Sequence, residues 1–116
     1  MSLEAKIYTA LSALVDDRVY PDVAPEGTAK PYITYQEVGG DAVNYVEGAV
    51  PDKQNAIVQI NVWALSRIEA SSLGKQAEDV LRLLVDVETK VLGARVSLYE
   101  SDTKLRGARQ DFSIWY

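Results

Sequence analysis

The chain has 116 residues, a net charge of −5, and neither cysteine nor histidine. This length suits one domain over residues 1–116, able to bury roughly two thirds of its unfolded surface. The composition excludes disulfides and thiolate metal sites, removes the commonest general base and metal ligand, and disfavours binding to phosphate backbones, where affinity comes from Lys and Arg.

Residues 3–15 predict a helix, because Leu3, Ile7, Leu11, Leu14 and Val15 fall on one stripe and Asp16 and Asp17 stop it. "RVYP" at 18–21 reads as a short strand, and the proline-rich "PDVAPEGTAKP" that follows as an ordered loop. "YITYQEV" at 32–38 is β-branched and aromatic, a strand closed by Gly39 and Gly40. Residues 39–54 have no stable period and predict a long loop or loose hairpin carrying Asp41, Glu47 and Asp52. Residues 56–64 give the clearest strand, with Val58, Ile60, Val62 and Ala64 on one face and Gln59, Asn61 and Trp63 on the other. Ser66 and Glu69 form a capping box for a helix running to about Asp86, with Ile68, Leu73, Ala77, Val80, Leu81 and Leu84 as its buried stripe. Gly74 within it suits close packing on the sheet. A turn near Gly93, a strand at 95–101, a polar hairpin at 102–107 and a last strand at 109–116 complete the chain.

This order predicts an α+β fold, with a mostly antiparallel sheet of about five strands and two helices packed on one face. The segment "MSLEAKIYTALSALVDD" carries acids where a signal peptide needs a basic head, and no apolar run reaches the length of a membrane span. The chain is therefore expected inside the cell, with no membrane partner and no nucleic acid partner.

No catalytic set emerges. Asp16, Asp17 and Asp22 cluster around a helix end, and Glu78 and Asp79 flank a buried stripe on its solvated side. The Ser and Thr residues have no base to activate them. The expectation is a protein that is not an enzyme and takes no cofactor or metal. Two surfaces stand out instead. One is the sheet face bearing Gln59, Asn61, Trp63, Asp111, Ser113 and Trp115, with Thr34, Gln36, Ser97 and Tyr99 as further candidates. Two tryptophans on one polar face suit an interface, since Trp and Tyr are enriched at binding hot spots. The other is a charge pair: the acidic loop with Asp41, Glu47 and Asp52, and the basic hairpin with Lys104, Arg106 and Arg109.

"RVYPDVAPEGTAKPYITYQ" at 18–36, "VQINVWA" at 58–64 and "DFSIWY" at 111–116 resemble a family of small phage and prophage tail proteins, formerly a domain of unknown function and now described as tail completion or tail terminator proteins. The two predicted helices also sit where that family has them, so the resemblance spans nearly the whole chain. Residues 39–55 and 86–107 carry no matching motif. The resemblance implies a non-enzymatic virion part, assembled in the bacterial cytoplasm and carried in the tail. It implies a homo-oligomeric ring, typically sixfold, that caps the tail tube protein and presents a surface to a head-completion or connector protein. The residues alone fit equally a small α+β binding or regulatory domain that dimerises through its sheet.

Overall fold

In the computed structural model, which describes residues 2–116, the elements are α1 (Leu3–Ser12), β1 (Val19–Pro21), β2 (Tyr32–Glu37), β3 (Asn55–Ala64), α2 (Arg67–Arg82), β4 (Glu88–Val91), β5 (Val96–Glu100) and β6 (Leu105–Trp115). The fold is α+β. Strands β1, β2, β3 and β6 lie side by side in that order, and the outer edge of β6 is shared by β5 and β4. β1 runs parallel to β2, and every other pair is antiparallel.

The longest pairing joins β3 to β6 without a bulge, from Asn55 opposite Trp115 to Ala64 opposite Arg106. Directly opposed residues share a face, and successive residues alternate between faces. Ala56, Val58, Ile60, Val62 and Ala64 therefore line one face with Ile114, Phe112, Gln110 and Ala108 opposite the first four. Leu3, Ile7 and Leu11 of α1 and Leu73, Ala77 and Leu81 of α2 cover this helix face and close one hydrophobic cluster. Each helix begins on a serine cap: Ser2 Oγ accepts from the Ala5 N–H and Ser66 Oγ from the Glu69 N–H, each at 3.1 Å.

The two helices and the segment after α2 depart from the sequence pattern in three places. α1 stops at Ser12 rather than Val15, and tighter turns follow, in which Leu14 bonds to Leu11 and Val15 to Ser12. Val15 still reaches the core. α2 stops at Arg82, Leu83 leaves helical geometry, and Asp86 turns the chain with a φ of 64°. The residues after it then form β4, a strand the sequence pattern does not predict and which brings the sheet to six, so the apolar run from Leu83 to Val85 lies beyond the helix. Ile68, expected in the buried stripe, is 84% exposed, because the stripe runs through Ala70, Leu73, Gly74, Ala77 and Leu81.

A polar knot sits where β6 changes partners. Gln110 is the one buried polar residue in the helix-face row of β6. Its Nε2 donates to Glu78 Oε1 of α2 at 3.0 Å and to the Gly93 carbonyl at 2.7 Å. Arg95 donates to the same Glu78 oxygen at 2.9 Å, and Arg82 Nε to its other oxygen at 3.1 Å. Gly74 makes room for this: a Cβ there would lie 2.7 Å from Arg95 Cδ. The bonds from Gln110 and Arg82, aided by the Arg charges, hold the Glu78 carboxyl below its ordinary value.

A carboxylate with a lowered folded-state pKa adds stability above its unfolded value and loses it as pH falls through the folded value. Melting temperature should therefore decline as pH drops below 4.5, the ordinary Glu value. Glu78→Gln should cost about 1–3 kcal/mol at neutral pH, because the buried Gln110 amide and the partly buried Arg95 guanidinium lose an anionic acceptor. Its melting curve should also show a shallower acid-side decline than wild type when both are scanned across pH.

Candidate functional site

The face turned away from the helices is set by the same register. β3 contributes Asn55, Ile57, Gln59, Asn61 and Trp63, and β6 contributes Trp115, Ser113, Asp111, Arg109 and Gly107 opposite them in turn. β2 adds Tyr32, Thr34 and Gln36 opposite Trp63, Asn61 and Gln59. Trp63 and Trp115 thus lie on one face, eight residue steps apart along β3, or about 27 Å. Neither is fully exposed in the single chain.

Ser97 and Tyr99 do not belong to this face. Tyr99 pairs with Arg106 and Ser97 with Ala108, and both partners lie on the helix side of β6. One step of register moves a whole strand's side chains to the opposite face. Tyr99 is half exposed, and the Arg106 guanidinium stacks over its ring at 4.1 Å from the centroid.

At its Trp63 end the open face holds an apolar patch and a groove. Gly107 leaves room for the indole, since a Cβ there would lie 2.8 Å from Trp63 Cζ3 and 3.3 Å from Leu98 Cβ. Leu105, on the same side of β6, is only 2% exposed. The groove encloses about 450 Å³ over Thr34, Gln59, Asn61 and Arg109, with Asp22, Val23, Tyr32 and Glu100 along its sides. Burial, and then the charge of Glu100, push the Tyr32 phenol above its usual pKa, so it remains a neutral hydroxyl there. Leu98, Leu105 and Tyr32 are not among the sequence-based candidates, because Leu98 and Tyr99 stand side by side in "SLYES" and no alternation separates their faces.

The basic hairpin of the sequence reading is divided. β6 starts at Leu105, four residues earlier than expected, so Lys104 alone sits in the turn, with a φ of 59°. Arg106 lies on the helix side and Arg109 on the open face, opposite Asn61. None of the three has an ion-pair partner among the described residues.

Asp41, Glu47 and Asp52 all lie on one projecting arm, residues 41–54, which is exposed except at Val43 and Pro51. Val46 and Val50 are 106% and 89% exposed. The arm's base is fixed. Gly40 has a φ of 153°, and a Cβ there would fall 2.2 Å from the Asn55 carbonyl oxygen, so only glycine fits. Asn55 Oδ1 accepts from the Asp41 N–H at 2.8 Å, and Gln54 and Tyr116 exchange backbone bonds at 2.7 and 2.8 Å. Beyond the base, the one backbone bond within 42–53 is from Gly48 N–H to the Tyr45 carbonyl, among the described residues.

Among the described residues no group of three or more His, Cys, Asp or Glu is placed to hold a metal ion, and no helix is long and apolar enough to cross a membrane. The family described as tail completion protein gp17 matches residues 6–116. The chain belongs to that family. It is a phage tail structural protein, and the matched span takes in the open face and the arm alike. No curated protein matches the chain. Among solved structures, a chain from the virion of a native gene transfer agent particle has a similar fold, with a TM-score of 0.61 at 18% identity over 98% of this chain and 93% of that one.

In this tail completion chain, Gly107→Ala should displace the Trp63 ring and cost about 1–3 kcal/mol, the usual penalty of overpacking. The check is denaturant unfolding together with emission of Trp63 in a Trp115→Phe background. Emission should move to the red as the indole lifts off the strand.

Proposed function

We propose that the protein acts as a single module over its whole length, capping the tail tube as a homo-oligomeric ring, sixfold as the resemblance implies. The ring presents the surface on which a head-completion or connector protein docks. Its work is binding, without catalysis, during assembly in the bacterial cytoplasm and then in the virion tail. Membership of the tail completion family carries this reading.

The geometry supports it. Rings need two different patches that meet head to tail. This subunit is elongated, 52 × 25 × 24 Å, and carries unmatched charges of opposite sign near its two ends. Asp41, Glu47 and Asp52 lie on the arm beyond Asn55, and Lys104 and Arg106 lie at the other end of β6. We assign these groups, with Arg109, to the contact between neighbouring subunits. The open face with Gln59, Asn61, Trp63, Asp111 and Trp115 is assigned to subunit packing or to the tube. A fully buried Trp hides on the order of 150–250 Å². Both indoles are partly covered already, so an interface here gains only the remainder. Half-exposed Tyr99 belongs instead with Arg106 at the charged end.

Particle mass in solution, with and without tail tubes, tests the reading. A ring of subunits on tube ends supports it, whereas a symmetric dimer indifferent to tubes would overturn it in favour of a sheet-mediated binding module. Rim charges act on encounter and register more than on affinity. Assembly should therefore weaken as salt rises, and the double variant Lys104→Glu, Arg106→Glu should assemble more slowly and lose that salt dependence. Trp115→Ala should melt as a folded subunit within about 2 kcal/mol of wild type and cap tubes less efficiently, which a tube-length distribution by electron microscopy would read.

A further inference from the structure

The sheet's outer edges are not guarded alike. An open strand edge offers unpaired N–H and C=O groups to any other chain, and proteins usually blunt it with proline, charge or a short strand. β1 has three residues and ends in Pro21, and β4 carries Glu88 and Lys90. β5 has no proline and a single charge, Glu100 at its very end, no bulge interrupts its register with β6, and β6 is its sole strand partner among the described residues. Val96 and Tyr99 point to opposite faces of this strand and are 51% and 50% exposed. The β5 edge turned away from β6 therefore has no strand partner among the described residues and stands as an open template.

The same chain supplies an unpaired segment to match. The first limb of the arm, Asp41 to Tyr45, is proline-free and runs without ladder bonds up to the turn that Gly48 closes on Tyr45. It is as long as β5. The second limb contains Pro51, which cannot donate to a ladder. The arm bears Asp41, Glu47 and Asp52 against one Lys53, whereas Lys104 in the turn before β6 and Arg106 and Arg109 on β6 beside β5 have no ion-pair partners among the described residues.

A subunit cannot join these two parts of itself. The limb reaches at most about 17 Å. β5 begins opposite Arg109, six residue steps along β6 from the arm's base at Trp115, or about 20 Å, and runs farther away from there.

We infer that the limb Asp41–Tyr45 adds as a strand to the open edge of β5 in a second copy of this chain. Backbone hydrogen bonds carry the contact, and the arm's acids beside Lys104 and Arg106 set its register. The pairing is head to tail, and it deepens the ring reading, on which it rests.

Amide exchange on wild type, free and assembled on tubes, tests this directly. Alternate amides of Val96–Glu100 and of residues 42–45 should slow by at least about tenfold in the assembled form. Val43→Pro and Asn44→Pro remove adjacent amide donors that make no backbone bond in the single chain. Both variants should fold as wild type. One of the two should abolish assembly and the other should not, because alternate amides point toward and away from a neighbouring strand. Rings whose β5 amides exchange as fast as in the free subunit would overturn the strand pairing and leave the ring reading standing. Equal assembly by both proline variants would do the same. Absence of any ring on wild-type tubes would overturn both.

Discussion

Strand β6 is the member on which the rest of this molecule hangs. It pairs with β3 along ten residues on one side and with β5 and β4 in succession on the other. Its alternation sends Ala108, Gln110, Phe112 and Ile114 under the helices and Gly107, Arg109, Asp111, Ser113 and Trp115 to the open face. Core and candidate surface are therefore two readings of one strand. A slip of one residue against β3 would bury the charges and expose the core row, so the cost of the wrong register is that of the whole hydrophobic cluster.

Such a strand needs a device where its outer partner changes, because the chain between β4 and β5 leaves polar groups without ladder bonds. Gln110 fills that role from the core side, bonding to the Gly93 carbonyl, while Leu92 bonds to the Asp111 carbonyl at 3.0 Å. Glu78 then ties Gln110 and Arg95 to α2. A buried polar cluster is costly unless its members are paired. Here nearly every member has a partner, although Gln110 Oε1 has none. The knot fixes where β5 begins, and so where the uncovered edge lies.

The regular parts were legible in the sequence because each carries one period over enough residues. β3 alternates for its whole length, and the Ser66–Glu69 box marks the start of α2. The failures have local causes. Leu83 to Val85 extend an apolar helical run beyond the point where the backbone has turned, which hid β4 behind a false helix end. Gly107 and Ala108 lack the side chains that announce a strand, so the sequence pattern starts β6 at Arg109 and leaves the basic residues together in a loop. The face of Tyr99 is likewise hidden, because it is decided by pairing with Arg106 and no periodicity within β5 fixes it. The partial burial of Trp63 depends on Gly107 across the strand pair, a relation that sequence order does not contain.

The exposed features gain meaning from where they stand rather than from what they are. A valine-bearing arm and an unguarded edge are each an aggregation hazard in isolation. Placed at opposite ends of an eleven-residue strand, they cannot neutralise one another within one subunit. They can do so only between copies, and always in the same sense around an assembly. A contact of that kind either closes or grows without limit. On the ring reading proposed above, the end of the tail tube would be the template that imposes closure. On that reading the free subunit is best served by an arm with little structure of its own, because ordering it costs entropy and pairing stays slow until the tube holds neighbours in place.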